Sequence, residues 1–503
     1  MNNSFSEEDV KKVAKGTAIT LAGSSLGKGL FFLGQLMIAR LLGVEAFGYY
    51  AIGLAVVNIC GIIARLGLNT GGMRFVSIYK DSNLPKLKGV LLSATWISFI
   101  NGAFISLILY FFSEWISLNI FHKPELTEAL MFFAFSVPFV ASLQTVAYLL
   151  QGFHTMKYTT YCREIIQPSS NLILFILFFY TGSGVLGAIY AFILSHLMAF
   201  AAGYYYLKKL FPSLIKGDIR PEYDLKDLIS YSIPLLLMGF LHYWLFWTDT
   251  LMLGFLGTAK DVGIYRAASQ VPFIMTLFLV AANSIYAPLA ADLYQKGDMF
   301  RLSNIFKTTT RWVTYMTAPI FLFLVFSSKE IMMLFGKEYV ETGYPVLIIL
   351  SFGQLMNCMT GGVGYTLTMT GKQKVELINS LGLVILNISL NIWLIPKYGA
   401  VGAAIASSTS FILINMARML EIYFMYAMIP FSRKTKEIIL PVSLSIILLS
   451  IYKGDISSIT KSFINIFLIM TTFTVSVFIF KKTDEEKYLI NTFRNKIWSI
   501  ISK

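Results

Sequence analysis

The chain has 503 residues, 56% of them hydrophobic and only 14% charged, and its mean hydropathy is +0.68. Soluble domains carry about 25% charged residues, so this composition excludes a soluble enzyme or binding module and requires a bilayer as solvent. The net charge of +14 does not point to nucleic acid, because the basic residues lie in short segments between apolar runs, where they set topology and attract anionic lipid.

In chain order, the charged start MNNSFSEEDVKK precedes a first apolar run of about 25 residues, which reads as a retained helix rather than a cleaved signal. Apolar runs long enough to cross a bilayer fall at roughly 17–41, 48–72, 89–112, 129–151, 160–181 and 185–207. Residues 208–227 (KKLFPSLIKGDIRPEYDLKD) break the pattern with two prolines and mixed charge, as a linker between lobes does. Six further runs lie near 229–256, 263–288, 312–328, 343–368, 375–395 and 400–426, and a last pair near 437–452 and 460–480. Among them, 292–311 carries Leu293, Phe300, Leu302 and Ile305 and reads either as a segment lying on the membrane surface or as a solvated loop. The tail sets Ile490, Phe493, Ile497, Ile500 and Ile501 on one helical face, an interfacial amphipathic helix. The expected fold is an all-α polytopic membrane protein of about fourteen transmembrane helices. It divides into an N-lobe (1–207), a linker (208–227), a C-lobe (228–428), two C-terminal helices (429–482) and the tail (483–503).

Two stretches, Gly184 to Ser195 (GVLGAIYAFILS) and Gly399 to Ser410 (GAVGAAIASSTS), share G-x-x-G-A-x-x-A-x-x-x-S at an offset of 215. Leu42-Gly43 with Gly48-Tyr49-Tyr50 recurs as Leu256-Gly257 with Gly263-Ile264-Tyr265 at offsets of 214 and 215. A weaker third pair, Gly152 with Lys157 and Gly371 with Lys374, begins at 219. Repeats of six hydrophobic segments predict two pseudo-symmetric six-helix lobes that rock around a shared site.

With the N-terminus inside, the expected inner segments hold 28 of the 41 Lys and Arg and the outer loops seven, which places both termini in the cytoplasm of a plasma-membrane protein. Cys60, Cys162 and Cys358 are odd in number and lie in or beside apolar runs, so they build no disulfide framework or metal spacing.

Charge inside a span costs about 2.5–3.5 kcal/mol on insertion scales and so marks candidate function. Lys28 lies midway along the first run, within the small, polar Gly23-Ser24-Ser25-Leu26-Gly27-Lys28-Gly29 that permits close helix contact. Displaced by 214, Lys28 falls on His242 and Gln35 on Asp249; in each half the two positions are seven apart, on one helical stripe. The two helices are therefore expected to line a wet cavity, the alternative being a buried Lys28–Asp249 pair that locks the lobes. Arg65 lies toward the inner end of the second run and Arg74 beyond it, the latter also placed to snorkel to lipid phosphate. Arg266 stands at the start of the eighth run, where Asp249 or a substrate phosphate would answer its charge. Arg418 is expected near an inner end, with Glu421 close enough to pair. Cations outnumber acids on the candidate cavity helices, which favours an anionic cargo held by charge-assisted hydrogen bonds.

The run Ala39-Arg40-Leu41-Leu42-Gly43-Val44-Glu45-Ala46-Phe47-Gly48-Tyr49-Tyr50, followed by Leu66-Gly67-Leu68, resembles the first helical hairpin of the polysaccharide transporter family within the multidrug/oligosaccharidyl-lipid/polysaccharide flippase superfamily. Thr248-Asp249-Thr250-Leu251-Met252-Leu253-Gly254 with Gly263-Ile264-Tyr265 resembles its seventh and eighth helices. The resemblance implies a V-shaped pair of six-helix lobes with two extra helices, and a flippase without catalytic chemistry, cofactor or metal. The cargo it implies is a polyprenyl-diphosphate-linked oligosaccharide for surface polysaccharide or glycan synthesis. Asp249 matches an acid usual in the seventh-helix motif and would either take H⁺ or Na⁺ or position a cation. Arg74 matches a common basic position, whereas Arg65 stands where an acid is more usual. Lys28, Arg65, Arg74, Arg266, Gln35 and His242 are then the expected substrate contacts, with membrane lipids as the other partner. The rival reading is a drug/cation antiporter of the multidrug and toxin extrusion type, which twelve helices and an acidic cavity would suit better. A membrane glycosyltransferase would need acids in a large outer loop, and no outer loop is long.

Overall fold

A computed structural model describes the backbone of residues 7–451 and 458–479, with side chains from Gly23 onward apart from a few positions that include His242. The tail helix expected over 483–503 lies outside the described residues. The first half comprises α1 (Glu7–Leu42), α2 (Val44–Arg65), α3 (Leu68–Tyr79), α4 (Leu84–Trp115), α5 (Leu126–Ala134), α6 (Val137–Gly152), α7 (Lys157–Thr160), α8 (Gln167–Tyr180) and α9 (Gly184–Leu210). The second comprises α10 (Leu225–Leu256), α11 (Ala259–Gln270), α12 (Phe273–Gln295), α13 (Met299–Phe326), α14 (Ser328–Phe335), α15 (Val340–Thr360), α16 (Val363–Met369), α17 (Gln373–Tyr426), α18 (Ile439–Ile451) and α19 (Ser458–Ile479).

Every expected apolar run falls on helix, and among the described residues there is no strand. Among the described residues eight helices are long and apolar enough to span a membrane, or up to ten if the bent pairs α5–α6 (47°) and α13–α14 (71°) each count as one crossing. The 54-residue α17 enters that number once although it holds two of the expected runs, joined across a non-helical Gly399. The repeat is also visible in the backbone: Gly184 and Gly399, 215 apart, both have φ +52°, a conformation that only glycine adopts cheaply.

By contacts the chain forms two units, the first comprising Met1–Gln270, Leu334–Gly343 and Ile388–Ala403. The unit boundary lies beyond residues 208–227, so α10 and α11 belong to the first unit. One of its buried clusters joins Leu68, Leu87, Leu91, Leu143 and Leu149 with Leu228 of α10. In lipid, helices are held by close packing of small residues more than by hydrophobic burial, and α2 crosses α11 in that way. A methyl on Gly48 would overlap the Ala259 carbonyl and one on Gly263 would overlap the Val44 carbonyl; the two contacts are one contact repeated 215 residues later. The Tyr339 hydroxyl donates to the Ala39 carbonyl at 3.0 Å, at the end of α1. At the end of α10 the Lys123 ammonium donates to the carbonyls of Gly254 (2.6 Å) and Gly257 (2.8 Å), and to that of Phe121 (3.0 Å). Residues 208–227 are strapped to α4, where Lys88 Nζ donates to the Lys216 and Ile219 carbonyls at 2.6 and 3.0 Å and Lys86 meets Asp224 at 3.3 Å.

The second unit comprises Val271–Met333, Tyr344–Asn387 and Ala404–Lys503. It corrects two expectations. Segment 292–311 is not a solvated loop: α12 runs on to Gln295 and α13 begins at Met299, with Leu293 and Leu302 buried beside Phe306 and Tyr286 and Phe300 exposed. Arg418 does not pair with Glu421; it holds Glu376 at 2.5 and 2.9 Å, and Glu421 accepts from Asn379 at 2.6 Å. The hairpin α18–α19 closes through Ser445 and Thr472, 2.5 Å apart.

Candidate functional site

The polar groups of the first unit gather along α1, α2, α10 and α11. On α1, Gly23 and Gly27 lie so close to Thr160 and Glu164 that a methyl at either would overlap. Lys28, the next residue, is exposed and makes no hydrogen bond or ion pair among the described residues, so the Lys28–Asp249 lock is not formed. The side chain of His242, its counterpart in the repeat, lies outside the described residues. Two turns along α1, Gln35 is 3% exposed and within hydrogen-bonding reach of Tyr50. Its Oε1 is buried without a partner, beside a small cavity lined also by Gln167 and Asn171. An unmet buried amide oxygen costs about 1–3 kcal/mol, so Gln35 is poised to accept a bond.

The second half repeats this arrangement with a charge in it. Asp249, at the Gln35 position, accepts from the Tyr265 hydroxyl at 2.5 Å, and Tyr265 stands 215 residues after Tyr50. Asn391 Nδ2 donates to the other Asp249 oxygen at 2.8 Å. Asn391 was not foreseen; the available signal was an amide inside the apolar run 375–395.

Arg65 is the last residue of α2, because Leu66 and Gly67 take φ +50° and +75° and end the helix. It is half-buried, with Tyr148, Arg163 and Tyr243 bearing on its guanidinium, and among the described residues it makes no hydrogen bond or ion pair. The eighth run breaks into two helices, α11 ending at Gln270 and α12 beginning at Phe273, and Arg266, in the first of them, is only 6% exposed. Its guanidinium lies 4.0 Å over the Trp247 ring, a contact that reaches about 2 kcal/mol when desolvated, while its Nε has no hydrogen-bond partner. Tyr243, Tyr265 and Tyr50 act electrostatically on it, which relates it to the Gln35 and Asp249 pairs. Arg74 stands apart on α3, exposed and 4.2 Å over the Tyr231 ring.

The structure therefore brings Gln35, Asp249 and Arg266 into one tyrosine-lined region and leaves Arg74 in a separate contact between α3 and α10. Cations without acid partners can bind an anion by charge-assisted hydrogen bonds, and the held carboxylate of Asp249 can take a proton or a cation. Among the described residues no group of three or more His, Cys, Asp or Glu is placed to hold a metal.

Residues 13–293, more than half of the chain, match the family described as polysaccharide biosynthesis protein, and residues 234–393 match the MatE family. The probable low-salt glycan biosynthesis flippase Agl15 of Haloferax volcanii is 23% identical over 95% of this chain and 98% of its own. The putative O-antigen transporter of Shigella flexneri is 22% identical over 75% and 89%. Among solved structures, the lipid II flippase MurJ in an inward closed conformation superposes with a TM-score of 0.74 at 15% identity, covering 92% of this chain and 98% of that one. With more than half of its length matched, the chain belongs to the family described as polysaccharide biosynthesis protein.

Proposed function

We propose that this protein is a flippase that carries a polyprenyl-diphosphate-linked oligosaccharide from the inner to the outer leaflet, for surface polysaccharide or glycan synthesis. One observation carries the reading: among the described residues Lys28 and Arg65 have no acid partner, and Arg266 is buried against an indole. Cations kept unpaired inside a membrane protein are expensive unless an anion visits them. A diphosphate supplies that anion, and the sugar needs no covalent chemistry to cross. The lobes 1–207 and 228–428 are the bodies that rock, in a plasma membrane with both termini cytoplasmic. Asp249 takes the coupling H⁺ or Na⁺.

A second reading, drug or cation antiport, draws on Asp249 and on the MatE match over residues 234–393. Proteoliposomes loaded with fluorescent lipid-linked oligosaccharide separate the two. Transfer between leaflets that falls at least about tenfold in Lys28→Ala and Arg65→Ala supports the flippase. No transfer by the wild type, together with uptake of an organic cation against a proton gradient, would replace it with the antiporter.

A further inference from the structure

A cavity of about 860 Å³ opens where α1 turns into α2, and none of Lys28, Arg65, Arg266 and Asp249 lines it. That volume falls within the ~300–1,000 Å³ of small-molecule sites. Its walls come from the corner at Leu42 and Gly43, the starts of α5 and α9, Lys260 of α11 and Glu338, all within the first unit. On the orientation proposed above, α1 ends at the outer face, so the cavity lies at the outer end of this unit.

Four carboxylates border it, Glu45, Glu125, Glu128 and Glu338, against one ammonium, Lys260. Helix dipoles favour Glu45 and Glu128 in the first turns of α2 and α5, yet they do not explain why both share one space with Glu125 and Glu338. The acids are little engaged. The Tyr49 hydroxyl stands 3.4 Å from Glu45 Oε1 and 3.3 Å from Glu125 Oε2, and its one proton can serve only one of them. Glu338 Oε2 accepts from the Val44 amide at 3.4 Å. Among the described residues Glu128 and Lys260 make no hydrogen bond or ion pair. Donors are unspent as well. Val185 and Leu186 line the cavity from the first turn of α9, where the amides have no partner within the helix and Ser183 makes no capping bond.

That mixture selects among ligands. Among the described residues no three acids are placed to hold a metal, so the carboxylates are spread around a space and do not converge on a point. A diphosphate offers acceptors only and would face four carboxylates. Each sugar hydroxyl both donates and accepts, so a neutral glycan can give its protons to the acids and take bonds from Lys260 and the α9 amides.

We propose that this cavity is a carbohydrate subsite that takes the neutral sugar part of the cargo at the outer mouth. The two ends of the cargo are then read in different places, the diphosphate by the unpaired cations and the glycan by these carboxylates. That the glycan is cargo rests on the flippase reading; the carbohydrate chemistry does not.

The test is binding of a panel of fluorescent, phosphate-free oligosaccharides, built on glucose, galactose, mannose and N-acetylglucosamine, to the purified full-length protein. Inorganic pyrophosphate and spermidine serve as competitors. At least one member of the panel should bind, and neither competitor should displace it. Glu128→Ala should weaken that binding about tenfold, the value of a hydrogen bond to a charged group, and Val185→Trp, which fills the cavity from α9, should abolish it. No binding by any member overturns the subsite. So does binding retained in full by Glu128→Ala and Val185→Trp proteins that keep the wild-type melting temperature. Displacement by spermidine would assign the acids to a cationic ligand, and displacement by pyrophosphate would move the sugar to the unpaired cations; either overturns the proposal. Sugar binding that Val185→Trp abolishes, without oligosaccharide transfer by the wild type in proteoliposomes, would leave the subsite standing and remove the flippase; transfer without sugar binding would do the reverse.

Discussion

Gln35 and Asp249 occupy the same place in two copies of one helix, each beside the tyrosine of the following helix, yet one is neutral with an unmet oxygen and the other is a carboxylate held at 2.5 and 2.8 Å. Duplication kept the frame and changed the charge. A frame with one acid can couple transport to a cation in one half only, so an ion-driven step is expected to start from the second half.

The largest expected effect follows from breaking that asymmetry. In Asp249→Asn, the Tyr265 hydroxyl and the Asn391 amide both still seek an acceptor, while the new side chain offers one oxygen and adds a donor. Ion-driven transfer of labelled oligosaccharide should fall at least about tenfold, the value of a hydrogen bond to a charged group. Gln35→Ala removes an amide whose oxygen is already unmet, so its transfer should stay within about twofold. Equal losses from the two substitutions would show that the halves are functionally equivalent despite their charge.

The duplicated frame was legible in the sequence because it rests on local spacing. The pattern at Gly184 and Gly399 became two glycines with the same left-handed φ, and the step of seven between Lys28 and Gln35 put both on one stripe. What stayed hidden depends on partners far along the chain. Arg418 had a plausible mate three residues away in Glu421, but its actual one, Glu376, lies 42 residues back, a relation without periodicity. Lys123 is one of the seven Lys and Arg expected in outer loops, and nothing in its spacing announces that its ammonium closes the end of α10.

A second, smaller effect tests whether the crossing of α2 and α11 is as symmetric as its coordinates. Replacing Gly48 or Gly263 by Leu forces a side chain onto the backbone carbonyl of Ala259 or Val44, and overpacking of this kind costs about 1–3 kcal/mol. Thermal unfolding in detergent should show both variants destabilised by similar amounts. A large loss from one and none from the other would mean that one glycine contact is incidental.

The ends of α1 and α10 offer the finest comparison, since the same carbonyl position, Ala39 in one half and Gly254 in the other, is closed by a neutral hydroxyl in the first case and an ammonium in the second. Tyr339→Phe removes one neutral hydrogen bond, about 1 kcal/mol. Lys123→Met removes three donations from a charged group and leaves three carbonyls unmet, so it should cost more, about 2–3 kcal/mol. Burial depresses the Lys123 amine below its ordinary 10.5, with Asp261 and Glu125 pulling the other way. Between the folded value and 10.5 the unfolded chain binds more protons than the native one, so this residue makes stability rise with pH across that interval and contributes no slope below it. Melting temperatures of wild type and Lys123→Met should therefore separate further as pH climbs toward 10.5. A gap that narrows over the same interval would mean that the three carbonyls hold the ammonium charged and that burial is the weaker influence.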